Sequence, residues 1–107
     1  MKEISVKEAL DLLQSGKAQA LDVRELDEYR AGHIEDVTFN PLSEFDVTRV
    51  QSNAPVIVIC RSGSRSGRVC EALAESHPNL LNLQGGMKAW AEAGFEMVSD
   101  SGNPQVI

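Results

Sequence analysis

One segment of this 107-residue chain carries the residue types of a nucleophile: Cys60-Arg61-Ser62-Gly63-Ser64-Arg65-Ser66-Gly67. A cysteine attacks only as the thiolate, and the thiolate is favoured where positive charge and hydrogen-bond donors converge. Arg61 and Arg65 bring full charges, Ser62, Ser64 and Ser66 bring hydroxyls, and Gly63 and Gly67 let the backbone curl so that its amides face inward. The chemistry that fits is attack by sulfur on an anionic electrophile, with the loop holding the negative charge. The bland alternative for Cys60 is an inert buried thiol that closes a core strand. The residues after Cys60 argue against it, since a plain strand-to-helix connection is shorter and less cationic. A P-loop is excluded because no Gly-Lys-Ser/Thr stands at the required spacing.

Such a loop needs elements to hold it. Pro55 opens the apolar, β-branched run Val56-Ile57-Val58-Ile59, which reads as a fully buried strand ending at Cys60. Helix formers then run from Ser66 to Ser76, with the helix beginning near Ser64 to Ser66, so the cysteine lies at a helix N-terminus, where unpaired amides and the helix dipole favour an anion. Ala18 to Val23 makes a second strand that delivers Asp22 and Arg24 to its C-terminal end, the ligand-binding end of parallel sheets. Asn79 to Leu83 supplies another buried strand. Gly85-Gly86 then permits a tight turn into a helix carrying Met87, Trp90 and Ala91, which Gly94 and Phe95 end in Schellman fashion.

Near the N-terminus, Ser5 and Glu8 form a capping box for a helix with Val6, Ala9, Leu10 and Leu13 on one face, ended by Gly16. Glu25 to Ala31 makes two helical turns stopped by Gly32, Ser43 to Asp46 caps a short helix, and the turn-rich tail Ser99 to Pro104 is expected to fray. Alternating strands and helices of this kind imply an α/β fold: one domain over residues 1–107, a mostly parallel sheet and helices on both faces.

Composition limits the partners. The net charge of −6 argues against nucleic acid, yet three of the six arginines, Arg61, Arg65 and Arg68, crowd into one stretch, which suits a small anion. Two cysteines are too few for a secreted disulfide framework and lack zinc-ligand spacing. With no apolar signal region after Met1 and no run of membrane-spanning length, the expectation is a cytoplasmic protein without a membrane partner.

Cys60-Arg61-Ser62-Gly63-Ser64-Arg65-Ser66 resembles the active-site loop of the rhodanese-like sulfurtransferases. Two flanking segments agree in order: Leu21-Asp22-Val23-Arg24 with Glu28-Tyr29 and Gly32-His33-Ile34, and Gly85-Gly86-Met87 with Ala89-Trp90. The resemblance implies a three-layer rhodanese-like fold with about five strands, and double displacement without metal or organic cofactor. Cys60 takes sulfur from a small anionic donor such as thiosulfate, becomes a persulfide, and passes the sulfur to cyanide, a thiol or a protein. Arg61, Ser62, Gly63, Ser64, Arg65 and Ser66 would bind the substrate, with Arg61 or Arg65 on the donor's oxyanion. Asp22 and Arg24 resemble residues that brace the fold by an ion pair.

The chain departs from the family pattern after Ile34, where Glu35-Asp36-Val37 replaces small residues. In the family the segment from Ser43 towards Arg49 lies near the active-site mouth, so Glu35, Asp36, Glu44 and Asp46 either weaken anion attraction or are simply solvated. His33 reads as a hydrogen-bonded structural residue rather than a base for Cys60, His77 as the cation at a helix C-terminus, and Cys70 as core. Two other classes remain. A phosphatase or arsenate-reductase-type enzyme shares the cysteine–arginine loop, although Arg65, five positions after Cys60, makes the loop one residue shorter than in those phosphatases. A sulfur-relay or docking module without free turnover would also keep Cys60.

Overall fold

The computed structural model describes residues 1–107. Five strands, β1 (Lys2–Ile4), β2 (Gln19–Asp22), β3 (Thr38–Phe39), β4 (Val56–Ile59) and β5 (Leu80–Leu83), form one sheet in the order β1-β5-β4-β2-β3. Every strand pair is parallel, so all C-terminal ends share one edge. The sole antiparallel element is an isolated bridge between His33 and Val98. Helices α1 (Val6–Gln14), α2 (Leu26–Ala31), α3 (Ser64–Ala72) and α4 (Gly86–Glu92) join them.

The two-residue period of β4 creates the layers. Ile57 and Ile59 point to one face and join Ile4, Ala9, Leu83, Met87 and Trp90 beneath α1 and α4. Val56, Val58 and Cys60 point to the other and join Leu21, Val23, Val69 and Cys70 beneath α3. A strand covered on both faces has no solvent side, which is why β4 reads as a continuous apolar run. The expected three-layer α/β fold, with five strands and helices on both faces, is the observed one.

Local rules explain most boundaries. Ser5 and Glu8 form the reciprocal capping box at the start of α1. After α4, the Gly94 amide donates to Ala91 and the Phe95 amide to Trp90, the Schellman pattern, and the Phe95 ring packs edge-on against Trp90 at 5.1 Å. Gly32 departs from expectation. Its φ of 175° is extended backbone, so handedness does not require glycine; a Cβ there would stand 2.5 Å from the Gln105 carbonyl oxygen.

Other expectations need correction. The strands β1 and β3 are too short to show a periodicity, and the helix expected over Ser66 to Ser76 is α3, ending at Ala72. The tail is docked rather than frayed. The Asp100 amide donates to Arg30 O and the Gln105 amide to Ala31 O, and Arg30 pairs with Asp100. Its backbone groups are satisfied by α2, which turn composition alone does not reveal. No helix is long and apolar enough to cross a membrane.

Candidate active site: a cysteine in a donor-lined loop

Cys60 leaves the C-terminal end of β4 and turns directly into the loop that starts α3. Gly63 adopts φ 102°, the left-handed conformation that lets the chain reverse, and its amide donates to Cys60 Sγ at 3.0 Å. The hydroxyl of Ser66, in the first turn of α3, lies 3.3 Å from the same sulfur. Cys60 and Ser66 are both fully buried. Burial alone raises a thiol's pKa. Here the Ser66 hydroxyl and the amides of Ser66, Gly63 and Ser62 outweigh burial and hold Cys60 below its usual value. The donors favour the charged form because each stabilises the thiolate more than the thiol.

Behind Ser66 stands Asn82, a residue that sequence reasoning missed. It lies buried on β5 and accepts from the Ser66 hydroxyl, while its amide nitrogen donates to Glu3 Oε2 at 2.9 Å and to Gly63 O at 3.0 Å. Those two donations fix which amide atom faces Ser66. A hydroxyl has one hydrogen, so Ser66 serves Asn82 or the sulfur but not both. The available signal was a polar residue inside the apolar run Leu80-Leu81-Asn82-Leu83.

The loop's outer side is held by α4. Met87 N–H donates to Cys60 O at 2.9 Å and Lys88 N–H to Arg61 O at 3.0 Å, so free amides at a helix start meet carbonyls the loop would otherwise leave unpaired. This approach is the reason for Gly86: a Cβ would stand 2.5 Å from Cys60 O.

Neither loop arginine hydrogen-bonds the sulfur; each has another partner. Arg65 grips Glu28 of α2 with both guanidinium nitrogens at 2.8 Å, and this pairing, against the opposing effect of burial, lowers the Glu28 pKa. Arg65 thereby ties α3 to α2. Arg61 is exposed, and its Nε donates to the Ile107 carbonyl at 3.0 Å. The hydroxyls of Ser62 and Ser64 sit at the exposed mouth, and neither bonds the sulfur.

Asp22 and Arg24 brace the neighbouring strand end. The pair is fully buried at 2.8 Å, and Arg24 also donates to Gly32 O at 2.7 Å. His33 bonds the Tyr29 carbonyl through Nδ1 at 2.8 Å and stacks on the Tyr29 ring at 3.8 Å, a structural role. His77 meets Ser76 and the Val50 carbonyl. Cys70 is buried in the α3 layer. Glu35 and Asp36 line a cleft with Leu13, Ala18 and Gln19, at the strand end opposite Cys60, so they cannot guard the loop. Asp46 spends its carboxylate on the Thr48 amide and hydroxyl.

A family model, rhodanese-like domain, matches residues 5–93. The chain is similar to the sulfurtransferase of Allochromatium vinosum, 32% identical over 77% of this chain and 79% of that one. It is similar to thiosulfate sulfurtransferase GlpE of Actinobacillus succinogenes, 33% identical over 89% and 88%. It also matches protein YqhL of Bacillus subtilis at 36% identity over 69% of this chain, and spans 61% of that relative's length. Among solved structures, a rhodanese-like domain protein from Staphylococcus aureus superposes with a TM-score of 0.79 at 30% identity, over 90% of this chain and 97% of that one.

Proposed function

From a chain that belongs to the rhodanese-like domain family, we propose a sulfurtransferase that carries sulfane sulfur on Cys60. The observation that supports this most is the set of donors converging on a buried sulfur whose pKa they lower. Cys60 Sγ, as thiolate, attacks the outer sulfur of thiosulfate. A sulfur–sulfur bond forms, the bond to the sulfonate sulfur breaks, and its electron pair leaves with sulfite. The charge then rests on the outer persulfide sulfur, inside the ring of amides from Ser62 to Ser66. Cyanide or a thiolate next attacks that outer sulfur and returns Cys60 as thiolate. Neither half needs a proton, a metal or an organic cofactor.

Preorganised donors matter because the negative charge stays within the loop throughout and requires no reorganisation as it moves by one atom. Arg61, whose fork is not locked to a carboxylate, is the cation for the donor's sulfonate oxygens and the leaving sulfite. Arg65 acts at one remove, by holding the first turn of α3 against Glu28. The same engagement argues against phosphoryl transfer, which needs an arginine fork around the equatorial oxygens.

Intact-mass measurement tests the reading. Incubation with thiosulfate should add the mass of one sulfur, cyanide should remove it as thiocyanate, and Cys60→Ser should do neither. Ordinary thiosulfate turnover by Cys60→Ser would overturn the assignment.

A further inference from the structure

A second feature shares α3 with the loop. Arg65, Arg68, Val69, Ala72 and Leu73 follow helical spacing along one face of α3, and Leu42 and Phe45 stand opposite. Together they line a groove of about 270 Å³ with almost wholly apolar walls. Its upper end is Arg65, in the first turn beside Cys60; from there it runs down the helix for roughly 12 Å, at about 1.5 Å per residue. Leu42 is exposed on the groove's wall, next to the half-buried Phe45 and Leu73. Arg68 is exposed and forms no ion pair, whereas Arg65 is neutralised by Glu28. On a chain of net charge −6, the groove therefore carries one free cation beside an apolar trough.

We propose that this groove docks the sulfur acceptor, a protein segment that carries a cysteine followed by an apolar side chain and a carboxylate. The inference rests on the sulfurtransferase reading and names the acceptor for the same site. The apolar side chain fills the trough between Phe45 and Leu73, the carboxylate meets Arg68, and the cysteine lies at the Arg65 end, over the loop. Charge complementarity selects the partner, because a basic segment would face the unpaired Arg68. The transfer balances without an oxidant. The acceptor thiolate bonds to the outer persulfide sulfur, the bond to Cys60 Sγ breaks, and its electron pair returns to Cys60.

The test loads Cys60 with sulfur from thiosulfate, verified by mass, and follows its discharge to three acceptors. These are cyanide, a peptide with the order Cys-Ser-Leu-Ser-Asp, and the same peptide with Lys in place of Asp. Discharge to the acidic peptide should be about tenfold faster than to the basic one. Arg68→Glu should invert that preference, and Ala72→Lys, which fills the trough, should slow both peptides, while cyanide discharge stays unchanged in both variants. Equal rates for the two peptides, or a preference that survives Arg68→Glu, would overturn the docking site. Failure of Cys60 to take up sulfur at all would defeat the underlying reading and the inference with it. Sedimentation supplies the remaining outcome: a dimer of the wild type that Ala72→Lys dissociates would assign the groove to a second copy of this chain instead.

Discussion

Cys60 and Cys70 sit in the same apolar layer, one at the entrance of α3 and one within it, and burial raises the pKa of both thiols. They nonetheless move in opposite directions. Cys60 falls below the ordinary thiol value because amides and a hydroxyl aim at its sulfur; Cys70 is pushed up to about 11, as no comparable set of donors reaches it. In a folded helix the amides beyond the first turn are spent on carbonyls, so only a residue at the helix entrance can collect them. The opposite shifts follow from position on α3, not from the residue type.

The largest break in that comparison should come from Gly86→Ala. With φ 58° and only 2.5 Å between the added Cβ and Cys60 O, the substitution must push the loop off α4. Thermal unfolding should report a loss of about 3 kcal/mol. Sulfur uptake should fall by at least a hundredfold, leaving Cys60 as unreactive as Cys70. Normal uptake in a folded Gly86→Ala protein would show that α4 does not hold the loop.

Removal of single donors should have a smaller effect. Ser66→Ala deletes the hydroxyl nearest the sulfur, and Cys60 alkylation by iodoacetamide should slow about tenfold at neutral pH, with its pH profile moved upward. The sign is set by the state being stabilised: a donor to the thiolate lowers the pKa, so its loss raises it. Asn82→Ala should act oppositely and more weakly, because the Ser66 hydrogen then has only the sulfur to serve. Cys70 should alkylate at an unchanged, slow rate in both variants. A Ser66→Ala profile that coincides with wild type would leave the amides alone responsible.

Much of this contrast is legible in the chain itself. The strand before Cys60, the glycines and the helix formers after it have strong local patterns, and they place Cys60 at the strand end. What they do not show is where long side chains go. The partner of Arg65, Glu28, lies 37 positions away and meets it only after α2 and α3 pack. Asn82 and Glu3 reach the site across neighbouring strands β5 and β1, and β1 is too short to announce itself. The tail misled for the same reason: its partners, Arg30 and Ala31, are distant in sequence.

Glu28→Gln sharpens the comparison at the level of stability. The Glu28 pKa is lowered by Arg65, so the pair's contribution is fully present above the unfolded carboxylate's value near 4.5 and is lost as pH falls through the lower folded value. For a partly exposed pair the amount is about 1 kcal/mol. The difference in unfolding free energy between wild type and Glu28→Gln should thus be constant near pH 7 and shrink below pH 4.5. A difference unchanged down to the acid limit would mean that the two residues contribute by packing rather than charge.

The smallest effect on sulfur transfer belongs to Cys70→Ala. The rival role for Cys70 is a resolving thiolate that attacks Cys60 Sγ of the persulfide, so that an internal disulfide forms, the sulfur–sulfur bond of the persulfide breaks and the outer sulfur leaves as hydrosulfide. A thiol with a pKa of about 11 is almost wholly protonated at neutral pH, and its position within α3 offers no route to the loop without unwinding the first turns. Turnover with thiosulfate and cyanide should therefore stay within about twofold of wild type, while loss of a small buried side chain costs about 1 kcal/mol of stability. A folded Cys70→Ala protein that takes up sulfur but no longer discharges it to a thiol acceptor would overturn this assignment. It would mean that Cys70 takes part in the second half of the reaction, and that α3 opens during each cycle.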